Sequence, residues 1–240
     1  MQNKTLGETL RELDRPAKSR PGVGDPAGLA AFAVFAAALV LIIAATGGMR
    51  PIFSLPSYSL LALAGVLALF SRGFMRFRLA TRALVALALF LGWIAARGLT
   101  SPEPHVARFG LHLALAVAVV YFATVFWLTS QRLRLAFVWV LLGLALAQTV
   151  VAAIQFRGME GFMLFGLQRP DYGWRASGFF ACPNHFAGFL EMTLAFGLAM
   201  VIWSRLGTLW KIAAAYFCVV CVLGIAMTGS RGGYLSTAGA

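Results

Sequence analysis

The feature that most constrains this chain is the recurrence of long, nearly uncharged apolar blocks joined by short basic connections. A helix of about 20 apolar residues matches the hydrocarbon thickness of a bilayer. Seven such blocks occur, at 28–46, 55–71, 79–96, 109–129, 135–156, 186–204 and 211–228. Lipid offers the backbone no hydrogen bonds, so segments of this kind satisfy their own N–H and C=O groups as helices. The expected fold is all-α, a polytopic transmembrane helix bundle of seven full spans plus the start of an eighth. The third block is the weakest, because Thr81 and Arg82 stand at its start, and Arg82 must snorkel to the interface. A large soluble core is excluded by composition. Hydrophobic residues make up 60% of the chain and charged residues 12%, against about 45–50% and 25% in soluble domains. Close helix packing is expected to use Gly and Ala, since lipid supplies no hydrophobic drive between helices.

Charge sets the expected sidedness. Twenty Lys and Arg face eight Asp and Glu, a net charge of +12. In a soluble protein that excess would point to nucleic acid. Here it lies between apolar blocks and in the tail, and serves topology and lipid headgroups. Residues 1–27 hold five basic residues, four acids and three prolines and read as a disordered basic cytoplasmic tail. No cleavage site follows the first apolar block, which is read as a retained span. With the N-terminus inside, the cytoplasmic segments carry thirteen Lys and Arg and the outer ones seven, the bias expected of an N-in protein. The transmembrane domain then covers 28–240. It breaks off in an apolar run (GGYLSTAGA), and the sequence reads as the N-terminal part of a longer protein.

Three features on the expected outer side carry candidate chemistry. The longest connection, 157–185 (RGMEGFMLFGLQRPDYGWRASGFFACPNH), mixes three arginines with Phe162, Phe165, Tyr172 and Trp174. Its stretch GFMLFGL is too short to span and is read as interfacial or re-entrant. The bland alternative is an aromatic belt on a structural loop. The turn T-G-S-R-G-G-Y, 228–234, surrounds Ser230 and Arg231 with glycines, Gly232 among them. Glycine lets a backbone approach a ligand, a helix start attracts anions, and a guanidinium matches phosphate oxygens. Glu191 is a carboxylate inside a span, about 8–9 Å below the loop at 1.5 Å per residue. Such a group needs a partner, for which Arg175 or Arg231 is the natural choice. Asn184, Gly188, Glu191 and Ala195 share one helix face by spacing.

Other residues read as structural. His105 and His112 are isolated, and Cys218 and Cys221 form a C-x-x-C inside an apolar block, where they serve packing and not redox or metal chemistry. Cys182 is a lone thiol candidate. There is no D-x-D, P-loop, G-x-S-x-G or H-E-x-x-H, and the outer acids do not cluster. No metal and no cofactor is expected.

The segment R-A-S-G-F-F-A-C-P-N-H-F-A-G-F-L-E-M, 175–192, followed after one further span by T-G-S-R-G-G-Y, resembles the O-antigen ligase and polymerase family. That family shows R-x-x-G-T-F-x-N-P-N-x-F-A at one span and an S-R-G-G/A turn at a later one. Phe180 and Cys182 depart from the pattern, while the arginines, proline, asparagine and glycines keep it. The resemblance covers 175–234. It implies a metal-independent, inverting membrane glycosyltransferase of GT-C-like helical architecture in a bacterial inner membrane. Its donor would be a glycan on undecaprenyl diphosphate at the periplasmic face, and its acceptor lipid A–core or another glycan. By the same resemblance Arg231 and then Arg175 would bind the diphosphate, supported by Asn184, His185, Ser230, Gly232 and Glu191. A catalytic histidine is expected beyond residue 240. The alternative class is a polytopic transporter or flippase, in which Glu191 and the outer arginines would line a substrate path.

Overall fold

A computed structural model describes residues 26–44, 51–70, 81–127, 131–158, 161 and 171–239. These residues form helices and connections, with no strand among them. The helices are α1 (Pro26–Ala44), α2 (Pro51–Leu69), α3 (Thr81–Leu99), α4 (Pro104–Trp127), α5 (Gln131–Phe156), α6 (Pro183–Trp203), α7 (Thr208–Thr228) and α8 (Arg231–Ala238). Six of them, α1 and α3 to α7, are long and apolar enough to cross a membrane. The apolar stretch of α2, Ser54–Leu69, is shorter, and Pro56 interrupts its backbone donors. The molecule is an all-α, multi-pass membrane protein.

Helix starts fall earlier than hydropathy places them in every expected span but α3, which starts later, at Thr81. Four helices open on a proline, Pro26, Pro51, Pro104 and Pro183. At the first helical position the missing N–H has no intrahelical partner to lose, and the ring pre-sets φ. Apolarity marks the part of a helix that must avoid water, whereas proline marks where the helix begins. Asn184 and His185, read from sequence as the end of the 157–185 loop, therefore stand in the first turn of α6. The tail 1–27 lies outside the described residues except for Pro26 and Ala27, which open α1. The stretch GFMLFGL also lies outside them, apart from Gly161.

Two packed groups organise the bundle. In the first, α1 packs on α2, α2 meets α4, and α4 packs on α3. Phe35, Leu61 and a run of alanines (Ala31, Ala38, Ala64, Ala116) form its core. The second group is α5, α6 and α7, joined to the first through a contact of α1 with α5. Its core holds Phe186, Leu190, Leu194, Cys221 and Ile225, with Ala176 of the connecting loop. Small residues permit the close approach that lipid-embedded helices need. A Cβ added to Gly224 of α7 would lie 2.5 Å from Leu190 Cδ1 and 2.7 Å from Thr149 Oγ1, so three helices converge there. Cys218 and Cys221 are unbonded and buried in this group, and Cys218 Sγ covers Gly197 of α6.

Large apolar side chains face outward, as in Leu89 and Trp93 of α3, 70% and 68% exposed. α3 has no buried residue. Such a surface is stable against hydrocarbon and would be costly in water.

Candidate functional site

The candidate site lies at the end of the bundle where α5 and α7 finish and α6 and α8 begin. It is assembled from two stretches far apart in sequence, 171–184 and 226–234.

Residues 171–182 are a connection without secondary structure of its own, and its polar backbone needs partners at the membrane boundary. α5 supplies them. Gln155 Oε1 accepts from the N–H of Ser177 (2.9 Å) and of Gly178 (3.0 Å), and Gln155 Nε2 donates to the Gly178 carbonyl (2.8 Å). Two turns earlier, Gln148 Oε1 accepts from Phe179 N–H (2.6 Å), and its Nε2 donates to the Ile43 carbonyl of α1 (3.3 Å). Both amides are fully buried. Gly178 has φ +58°, and any side chain there would strike Gln148 Oε1. Sequence reading passed over these glutamines. Their signal was present, since two amides seven residues apart on an apolar helix share a face and must find partners.

The far end of this loop grips the end of α7. A helix leaves its last carbonyls without intrahelical donors. Ala176 N–H donates to the Met227 carbonyl (2.9 Å), and Arg175 Nε donates to the Thr228 carbonyl (2.8 Å). Tyr234 Oη donates to the Ala226 carbonyl (2.8 Å). Arg175 Nη2 reaches Asn184 Oδ1 (2.7 Å), tying the same guanidinium to the first turn of α6. A cation is also favoured at the negative end of the α7 dipole. Arg175 thus joins the two sequence motifs physically.

Gly229 ends α7 in the left-handed region, φ +60°. The chain then turns into α8. Thr228 Oγ1 accepts from Ser230 N–H (3.1 Å), and Ser230 Oγ caps the helix by accepting from Gly233 N–H (3.2 Å). The next two N–H groups, of Arg231 and Gly232, occupy the first positions of α8 and have no partner among the described residues. Both residues are exposed, and nothing lies within 4 Å of where a Gly232 Cβ would stand. The Arg231 side chain has no ion pair or hydrogen bond among the described residues. A guanidinium and two helix-start amides left open to solvent form a surface suited to an anion.

Glu191 departs from expectation. Among the described residues it forms no ion pair with Arg175 or Arg231. Arg175 is turned to Thr228 and Asn184, and Arg231 lies exposed on α8. Half-buried Glu191 instead packs on the first turn of α8, its Oε1 3.1 Å from where a Gly233 Cβ would be. The positive end of the α8 dipole is a weak substitute for a cation. His185 is exposed and its ring takes no part in the network. Among the described residues no group of three or more His, Cys, Asp or Glu is placed to hold a metal ion. Comparison with protein-family models, with curated proteins and with solved structures gives no match.

Proposed function

We propose that this chain carries the donor-binding end of a membrane glycosyltransferase of the O-antigen ligase or polymerase type. It would transfer or polymerise a glycan from undecaprenyl diphosphate at the periplasmic face, for cell-surface polysaccharide synthesis. One observation carries the reading. The two motifs that resemble this family, a full span apart in sequence, meet through Arg175 and leave Arg231 and two helix-start amides open on one surface. In this reading α1 to α7 are seven spans and α8 starts an eighth, in a GT-C-like arrangement with the N-terminus cytoplasmic. The basic bias of the segments on the opposite side supports that orientation.

The chemistry asked of such a surface is specific. An acceptor hydroxyl oxygen attacks C1 of the donor sugar and gives up its proton to water, and the C1–O bond to phosphate breaks. The electron pair and the negative charge leave on the lipid diphosphate. In this reading Arg231 and the N–H groups of Arg231 and Gly232 stabilise that charge as it grows. A single displacement inverts C1, and no metal is required, as the resemblance implies. Arg175 and Asn184 position the surface, and Ser230 holds the α8 start in place. Donor and acceptor are both lipid-borne or lipid-anchored glycans.

The test is Arg231→Ala in cells and in membranes. Transfer to the acceptor is expected to fall by about 10²–10³, with insertion and abundance unchanged. A normally inserted, fully active Arg231→Ala protein overturns the proposal. Movement of the lipid-linked donor across the bilayer, lost in the same variant without any effect on transfer, identifies a flippase instead.

A further inference from the structure

We infer that Trp174 is a stacking platform for the sugar ring next to the diphosphate. The inference rests on the donor reading above and names a subsite within it. Trp174 is 55% exposed, although it comes from a loop held by several bonds. Asp171 Oδ1 accepts from Gly173 N–H (2.8 Å), Gly173 turns the chain at φ +58°, and Arg175 next door is fixed to Thr228 and Asn184.

The indole itself is seated. It meets Phe156, the last residue of α5, almost perpendicularly, with ring centres 6.0 Å apart and planes at 84°. Its Cη2 lies over Gly229, 2.8 Å from where a Cβ would stand, so the ring occupies space that only glycine leaves. A perpendicular contact uses at most one face of the indole, and the residue keeps more than half of its surface exposed. Gly229 is two residues before Arg231, which places the ring beside the anion surface.

Elsewhere tryptophans serve different ends. Trp139 and Trp210 pack on each other at 5.5 Å, near the opposite ends of α5 and α7, and Trp203 and Trp93 project from spans into the lipid-facing surface. Trp174 projects from no span. The face of an aromatic ring is electron-rich. The C–H groups on the flat side of a hexopyranose are apolar and polarised positive by the ring and hydroxyl oxygens. A sugar attached to a diphosphate held at Arg231 would lie within reach of such a ring. The ligand class is a diphosphate-linked hexopyranose with an uninterrupted C–H face.

The experiment measures binding of two probes to the whole protein in nanodiscs: undecaprenyl diphosphate, and undecaprenyl diphosphate carrying N-acetylglucosamine. For Trp174→Ala, affinity for the sugar-bearing lipid is expected to drop about tenfold, with affinity for the sugar-free lipid unchanged. Trp174→Phe, which keeps a ring, is expected to retain most of the difference. Equal losses for both lipids would mean that the loop or its membrane seating was disturbed, and would overturn the platform. Unchanged affinity for the sugar-bearing lipid overturns it as well, while leaving the donor reading intact. Failure of the unaltered protein to bind either lipid removes the donor reading itself.

Discussion

At the scale of single residues, two positions decide whether the site exists at all. Arg175 donates to the C-terminal Thr228 carbonyl of α7 and to Asn184 of α6. Arg175→Ala leaves both acceptors without that donor, and a lost bond to a charged group costs about 1.5–3 kcal/mol. Thermal unfolding in detergent should fall accordingly, and Arg175→Lys should recover only part, because an ammonium lacks the planar fork. Gly229 is constrained twice, by φ +60° and by Trp174 and Arg175 above it. Gly229→Ala should destabilise the fold by at least the left-handed penalty of about 1–2 kcal/mol, read in the same assay, with donor binding weakened as the indole is displaced. Arg175, Asn184, Arg231 and the glycines were all legible as residues of interest. The roles of Arg175 and Glu191 were not. A sequence shows that a charge exists, but the choice among competing acceptors depends on distances of 3 Å.

At the scale of elements, helix α5 does more than span. Its two buried glutamines act as a surrogate strand for the loop that carries Arg175, bonding three consecutive residues, Ser177, Gly178 and Phe179. Gln155→Leu keeps the volume and removes three of these bonds, leaving backbone groups buried at about 1–3 kcal/mol each. Hydrogen exchange and limited proteolysis should show 171–182 opening while α6 and α7 stay protected. Equal protection of that loop in the variant would argue against the role given to Gln155. Six helices long and apolar enough to cross a membrane were readable from apolarity, because hydrocarbon imposes a length on any helix that crosses it. Their starts were not, because proline and capping chemistry act outside the apolar block.

At the scale of the whole molecule, the two halves of the site must share one side of the membrane. The ends of α5 and α7 and the starts of α6 and α8 lie together, so residues 175 and 231 do so too. A cysteine introduced in place of exposed Gly232 should be labelled by a membrane-impermeant thiol reagent added to intact spheroplasts, and one placed at exposed Arg205 between α6 and α7 should not. Labelling from the cytosolic side alone at position 232 would leave the proposed donor with no access to Arg231. This is the single outcome that removes periplasmic transfer whatever the local geometry.

What the sequence by itself determined was the environment and the class of structure. Long uncharged blocks admit a bilayer and little else, and lipid forces their backbone into helices whatever their neighbours are. It also marked 175–192 and 228–234 as unusual, through arginines and glycines that hydrophobic spans do not need. Only the tertiary structure decided that these stretches touch, which arginine is held and which is open, and that buried glutamines on α5 support the contact. The physical reason is range. Apolarity acts on every residue independently, whereas a hydrogen bond from Arg175 to Thr228 requires two helices, a loop and a turn to be packed correctly at once.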